Sequence, residues 1–372
     1  MTGAVSTLGR VCLPGRELRR ALRVALFPPE SLVQEWEAWL SDPVPAETAL
    51  RNPAFRLRRL IPLIDANLRA GRVQLDSALK AYLRMGSAHE KMRREQVDRA
   101  FETAVSALDQ RVDFLVLRGM ALSSSIYPSP FFRHCHDLDL LVRRTDAGNA
   151  SRLLAEAGFE RSSSPPGSDA ESGWMVHSSG FPVGIHVRLF RLAPWNQERD
   201  WFEHSRVQSA ENISFRTLEA EEMLAAVCIH AATVGSLHSP AWVTDAWYLM
   251  AAHPALNWDR VLRSGPAVPL WLTLGWLRNE LGAPVPSEVL ASIEKETQTD
   301  DTTRQQATAA AMLCSLGRSK DLLRSAKGVA ERLHWLRQLA LPDASVLRWV
   351  EHSDASATVL RLRRFARATG MR

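Results

Sequence analysis

The sequence predicts an α+β fold in which a small mixed β-sheet core is flanked by N-terminal and C-terminal helical regions. Three observations carry this. Residues 17–110 hold long stretches free of Gly and Pro, such as Ser87 to Leu108, with apolar residues at three- and four-residue spacing among charges. Between 111 and 205 short apolar runs alternate with helix-like segments, the order expected of an α/β or α+β core. From 206 to 372 the helical period returns. The expected division is therefore 1–110, 111–205 and 206–372.

Taken in order, the N-terminal helices break at Pro28-Pro29 and at 41–53, where Pro43, Pro45 and Pro53 read as a connecting loop. Asp113-Phe-Leu-Val-Leu-Arg118 is a nearly continuous apolar run closed by Gly119, a buried strand feeding a turn. Met120 to Ile126 resumes helical spacing, and Asp137-Leu-Asp-Leu-Leu-Val142 is strand-like again. The next helix has Thr145 as N-cap, Leu153, Leu154 and Ala157 as its apolar stripe, and Gly158 as its stop. The polar stretch 160–173, with Pro165, Pro166 and Gly167, reads as a surface loop. A hairpin follows. Trp174 to His177 and Phe181 to Phe190 flank Ser178-Ser179-Gly180, and the second run puts Val183, Ile185, Val187 and Leu189 on one face, Gly184, His186 and Arg188 on the other. Beyond 205, Thr217 reads as the cap of a helix that stops at Gly235, and Ser239-Pro240 as the start of the next.

Composition narrows the class without naming a partner. At 372 residues, 46% hydrophobic and 23% charged, the chain is globular, and no stretch approaches the ~20 apolar residues of a membrane span. Cys12, Cys135, Cys228 and Cys314 lie far apart with no CxxC pair, and there is no secretory apolar region near the N-terminus, so a reducing cytoplasm is expected. The net charge of +5 comes from basic residues spread along the chain, five lysines against forty-one arginines, and nucleic acid is not the expected partner. There is no GxGxxG turn, no GxxxxGK[ST] loop and no HExxH motif.

Asp137-Leu138-Asp139 carries the most chemical information. On a strand, alternate side chains share a face, so both carboxylates should project together while Leu138, Leu140 and Val142 pack behind. Paired buried acids need a cation, and hard oxygens at this spacing suit Mg²⁺ held together with substrate phosphates. The alternative is a strand end with one acid solvated and the other bonded to backbone amides. Upstream, Gly119 would let the backbone approach a phosphate, and Arg118 or Arg133 could clamp its oxygens.

Leu117-Arg118-Gly119, Tyr127, and Arg133 running through Asp137, Asp139, Leu140, Leu141 and Val142 together resemble the polymerase-β-like nucleotidyltransferase superfamily. More closely they resemble a bacterial family of uncharacterised nucleotidyltransferases with the pattern LKG, Tyr, R-x3-D-x-D-L-L-V. Gly158-Phe159, His230-Ala231, Trp242-Val-Thr-Asp245 and Asn257-Trp258-Asp259 extend the likeness over about residues 30 to 285. The resemblance implies a nucleotidyltransferase core at 111–205, an NTP donor, Mg²⁺ on Asp137 and Asp139, phosphate contacts from Arg118, Gly119 and Arg133, and a small-molecule or peptide acceptor selected by a helical domain bearing His230 and Asp245. Such families often accompany natural-product or surface-polysaccharide pathways.

Two departures stand out. Arg118 replaces the family's lysine, with a different geometry for the same charge. The superfamily's third acid, expected on a neighbouring strand, has no counterpart, since no Asp or Glu occurs from Ser172 to Gln197. His186 could act there as general base, or be a structural residue bonded at the strand face. Without the acid, a nucleotide-binding or scaffold protein of the same fold is the alternative function. His134-Cys135-His136 lacks a partner pair at zinc spacing. The tail from Val359 to Arg372 reads as an amphipathic terminal helix.

Overall fold

A computed structural model of the chain describes residues 13–52, 57–162, 173–190, 201–210, 212–233 and 239–299, with isolated positions beyond 300. The loop expectation for 163–172, the helix stop at Gly235 and the tail from Val359 lie outside the described residues or almost so.

The N-terminal region is helical: α1 (Arg16–Leu26), α2 (Pro29–Leu40), α3 (Ala46–Arg51), α4 (Ile61–Ala70) and the 32-residue α5 (Ser77–Leu108). Pro28-Pro29 is the break between α1 and α2, with Pro29 in the first turn, where its missing N–H costs nothing. The segment 41–53 is not wholly loop, because Ala46–Arg51 forms a helical turn entered through Pro45. Asp76 starts α5 by accepting from the backbone N–H groups of Ala78 and Leu79 at 2.8 and 2.9 Å.

The core is one mixed sheet of seven strands in the order β3-β4-β5-β2-β1-β7-β6: β1 (Phe114–Leu117), β2 (Leu138–Val142), β3 (Phe159–Ser162), β4 (Gly173–His177), β5 (Pro182–His186), β6 (Ser205–Ala210) and β7 (Ile213–Leu218). The β1 and β2 side chains are all buried, as continuous apolar runs demand of central strands. The two run antiparallel with Leu117 opposite Asp139. On the flanks, β5 lies parallel to β2 and β7 parallel to β1. Strand ends of four different segments therefore meet at one edge of the sheet, where β1 and β7 finish and β2 and β5 begin.

Between the strands run α6 (Arg118–Ser123) and α7 (Ala147–Glu156). The α7 helix is entered through a 3-10 turn with Asp146 rather than Thr145 at its cap, and Gly158 stops the segment at φ +90°. Then come α8 (Ala220–Thr233), α9 (Pro240–Ala252), α10 (Trp258–Arg263), α11 (Ala267–Leu281) and α12 (Ser287–Thr299). Ser239 and Asn257 cap α9 and α10 as their sequence positions require.

Two further secondary-structure expectations are corrected. Ser205–Ala210 and Ile213–Leu218 are strands, not the return of helix, and Thr217 sits in β7, where its hydroxyl donates to the Val116 carbonyl at 2.7 Å. Glu160 to Ser162, read as loop, pair with β4 as an edge strand. A continuous hydrophobic core links Leu18 on α1 to Ile293 on α12, so the helices on both sides pack against the sheet rather than standing apart.

Candidate functional site

Strand β1 ends at Leu117 and the chain turns at once into α6. The turn is made by Arg118 in the left-handed region, φ +47°, while Gly119 is already helical. A non-glycine residue pays about 1 to 2 kcal/mol for that backbone, so its side chain must gain elsewhere. The gain is visible. Arg118 is buried at 7% exposure, and its Nη2 donates to Asp139 Oδ2 at 2.7 Å while Nη1 lies 2.6 Å from His230 Nδ1. Since an arginine always donates, His230 Nδ1 is the acceptor and carries no proton.

Asp139 belongs to β2, and its partner across the ladder is Gly184 on β5, which has no side chain. His186, two residues along the same face, reaches back so that Nε2 lies 2.9 Å from Asp139 Oδ1. Both carboxylate oxygens are thus bonded by protein groups. Burial alone would raise the Asp139 carboxyl; the Arg118 guanidinium and the His186 hydrogen bond outweigh it and hold Asp139 well below the usual carboxylate range. Asp139 stays ionised at neutral pH, neutralised by Arg118.

The second acid of the pair is placed differently. Asp137 precedes β2, its side chain is 23% exposed, and Oδ2 lies 3.4 Å from His136 Nε2. The sequence places the two carboxylates together on one strand; in the fold only Asp139 is on the ladder.

A second buried network stands beside the first. Arg133 meets Asp245 of α9 through two contacts, Nε to Oδ1 at 2.8 Å and Nη2 to Oδ2 at 2.9 Å, and the Tyr127 hydroxyl donates to the same Oδ1 at 2.6 Å. Burial and the Asp245 carboxylate hold the Tyr127 phenol well above its usual range, so it remains a donor. Gly119 lies between the two networks. A Cβ there would sit 3.4 Å from Arg133 Nη2 and 3.5 Å from Cys135 Sγ, in van der Waals contact with both. The long helix α5 braces the 130–135 segment from behind: Arg94 donates to Ser123 Oγ and the Pro130 carbonyl, Arg93 to the Cys135 carbonyl, and Glu90 meets His134 Nδ1.

An Mg²⁺ held by Asp137 and Asp139 is the group implied by the resemblance, and these residues as arranged do not fit it. A divalent ion on Asp139 would share its oxygens with a guanidinium at 2.7 Å and an imidazole at 2.9 Å, where like charge repels in a buried setting. Among the described residues, no group of three or more His, Cys, Asp and Glu side chains is placed to hold a metal ion. Cys135 and Cys228 are buried free thiols, raised by burial.

Of the site residues expected from sequence, Arg118, Asp139 and His186 come together in one network, Arg133 and Asp245 in the adjoining one with Gly119 between them, and Asp137 lies half-buried just before β2. The link that sequence reasoning missed is His230 to Arg118, across 112 residues of chain. Only the His230-Ala231 pair gave a signal for it.

A family model described as "Uncharacterised nucleotidyltransferase" matches residues 53–268, more than half of the chain. The chain belongs to this nucleotidyltransferase family. The span common to the family runs from just before α4 to the start of α11 and contains every member of both buried networks. No curated protein and no solved structure matches the chain. Among the described residues no helix is long and apolar enough to cross a membrane.

Proposed function

We propose that this nucleotidyltransferase-family chain binds a nucleoside triphosphate at the sheet edge where β1 and β7 end and β2 and β5 begin, and moves the nucleoside monophosphate to a hydroxyl of a small molecule or peptide. Mg²⁺ enters as part of the donor, the Mg·NTP complex. The acceptor oxygen forms a bond to the α-phosphorus, the bond to the β-phosphate oxygen breaks, and pyrophosphate leaves. The support is the convergence of Arg118, Asp139, His186 and His230 on one buried point within the family span.

In this reading Arg118 supplies donors to phosphate oxygens and Gly119 keeps the adjoining backbone close. Arg133, Asp245 and Tyr127 fix the pocket wall. His186 takes the acceptor's proton: with Nε2–H directed at Asp139, the basic lone pair is on Nδ1, and the carboxylate stabilises the imidazolium that forms. Asp137, just before the strand and 23% exposed, is the less buried carboxylate of the pair.

One observation favours a second reading, a nucleotide-binding or scaffold protein. Both Asp139 oxygens are bonded internally, and the strand face beside it carries Gly184 and His186 in place of a third carboxylate. Calorimetric titration with each Mg·NTP, paired with a pyrophosphate-release assay over a panel of hydroxyl acceptors, separates them. Binding with pyrophosphate release is expected; binding without release across the panel supports the scaffold reading, and no binding of any NTP overturns both.

A further inference from the structure

We infer that His230 is the positioning residue for the phosphate contact: its unprotonated Nδ1 orients the Arg118 guanidinium for the donor triphosphate, so that the C-terminal helices set nucleotide affinity at the sheet edge. This deepens the nucleotidyl-transfer reading above and rests on it. The guanidinium is gripped at two points, by Asp139 Oδ2 of β2 through Nη2 at 2.7 Å and by His230 Nδ1 of α8 through Nη1 at 2.6 Å. One bond would leave the planar group able to turn; two, on different nitrogens and from different elements, fix its plane. The two acceptors also differ in charge. Asp139 is ionised and neutralises the arginine, whereas an imidazole accepting at Nδ1 orients it and adds no charge, as a second carboxylate would. A guanidinium carries five N–H donors, so holding both acceptors is compatible with donating to phosphate oxygens.

The imidazole has a rigid mount. His230 lies in the last turn of α8 between Ile229 and Ala231, both wholly buried. Ile229 packs into the turn between α10 and α11, where a Cβ at Gly265 would collide with its Cδ1. Near the start of α8, the fully buried Glu222 accepts from Arg260 Nε of α10 at 2.6 Å. The helix is thus tied at both ends. Arg118 follows directly on β1 and His230 comes from the helices beyond residue 220, so this contact is complete only when those helices pack on the sheet.

The test is calorimetric titration of the full chain and its variants with the Mg·NTP that binds wild type most tightly. His230→Asn keeps an acceptor oxygen at the position of Nδ1 and should bind within about twofold of wild type, whereas His230→Leu has a similar branched shape with no acceptor and should bind at least about tenfold more weakly. In an Arg118→Lys background, where a single nitrogen cannot span both partners, adding His230→Leu should weaken binding by less than about twofold, a coupling that a merely structural role would not produce. Should His230→Leu fail to fold by circular dichroism, His230→Gln, whose acceptor stands one bond further out, takes its place and should bind about tenfold more weakly. A folded Leu or Gln variant binding as tightly as wild type overturns the positioning role. So does an Asn variant as weak as the Leu variant, or a full additive loss in the Arg118→Lys background, and each of these leaves the transfer reading intact. Wild type binding no NTP instead removes the transfer reading and this inference with it.

Discussion

Asp245 shows how a single side chain can hold a buried network together. Its two oxygens take both arms of Arg133, and Tyr127 adds a third donor, with Asp245 itself 2% exposed. Asp245→Asn keeps the shape but leaves a buried guanidinium unpaired, so unfolding free energy should fall by about 3 to 5 kcal/mol, read from urea midpoints. Tyr127→Phe removes one donor to a charged acceptor and should cost less, about 1 to 3 kcal/mol by the same measurement. A larger loss for Tyr127→Phe than for Asp245→Asn would contradict the assignment of Asp245 as the hub. Asp139 makes a prediction of a different kind. Its folded-state carboxyl titrates below the ordinary value of about 3.9, so its contribution to stability is complete above that pH and is lost as pH falls through the depressed folded value. Wild-type stability should therefore decline below about pH 4 more steeply than that of Asp139→Asn, whose lower stability should be flatter with pH. Parallel curves from denaturant titrations between pH 3 and 6 would show that Asp139 is not the group responsible.

At the scale of elements, the site depends on strand register and on the long helix that braces it. Asp139 meets Gly184 only because β2 and β5 run parallel in that register, and a slip of one residue would turn Asp139 away from His186. The brace is α5, which packs on α4 at Gly86. A Cβ at Gly86 would lie 2.7 Å from Ile61 Cγ2 and 3.2 Å from its Cδ1, and a β-branched side chain has little freedom to withdraw. Gly86→Ala gains about 1 kcal/mol of helix propensity. Overpacking should cost about 1 to 3 kcal/mol, so the net effect is a modest loss of stability by chemical denaturation. A raised midpoint would mean that α4 and α5 do not approach as closely as described.

Over the whole molecule, what was legible in the sequence follows what local patterns encode. The buried strands β1 and β2 were readable as apolar runs, the cap at Ser239 as a Ser-Pro start signal, and the hairpin of β4 and β5 from its alternation. Strands β6 and β7 were not, because β6 is a mostly polar edge strand and β7 runs almost directly into the helical sequence beginning at Ala220. The acidic pair drew attention to Asp139, yet its partners Arg118 and His186 come from the start of α6 and from β5, with His230 of α8 bonded to Arg118, and pairing across 21, 47 and 112 residues leaves no periodic trace. The turn was expected at Gly119 because glycine tolerates it; Arg118 adopts the left-handed conformation instead, and no composition rule signals strain accepted for the sake of a side chain. The central claim is that a triphosphate binds where Arg118 meets Asp139. The most direct measurement is a crystal structure of the full chain with Mg²⁺ and a non-hydrolysable NTP analogue. Phosphate oxygens should lie within hydrogen-bond distance of the Arg118 guanidinium where β1 ends and β2 begins; an analogue bound elsewhere, with the Arg118–Asp139 pair undisturbed, would contradict that placement.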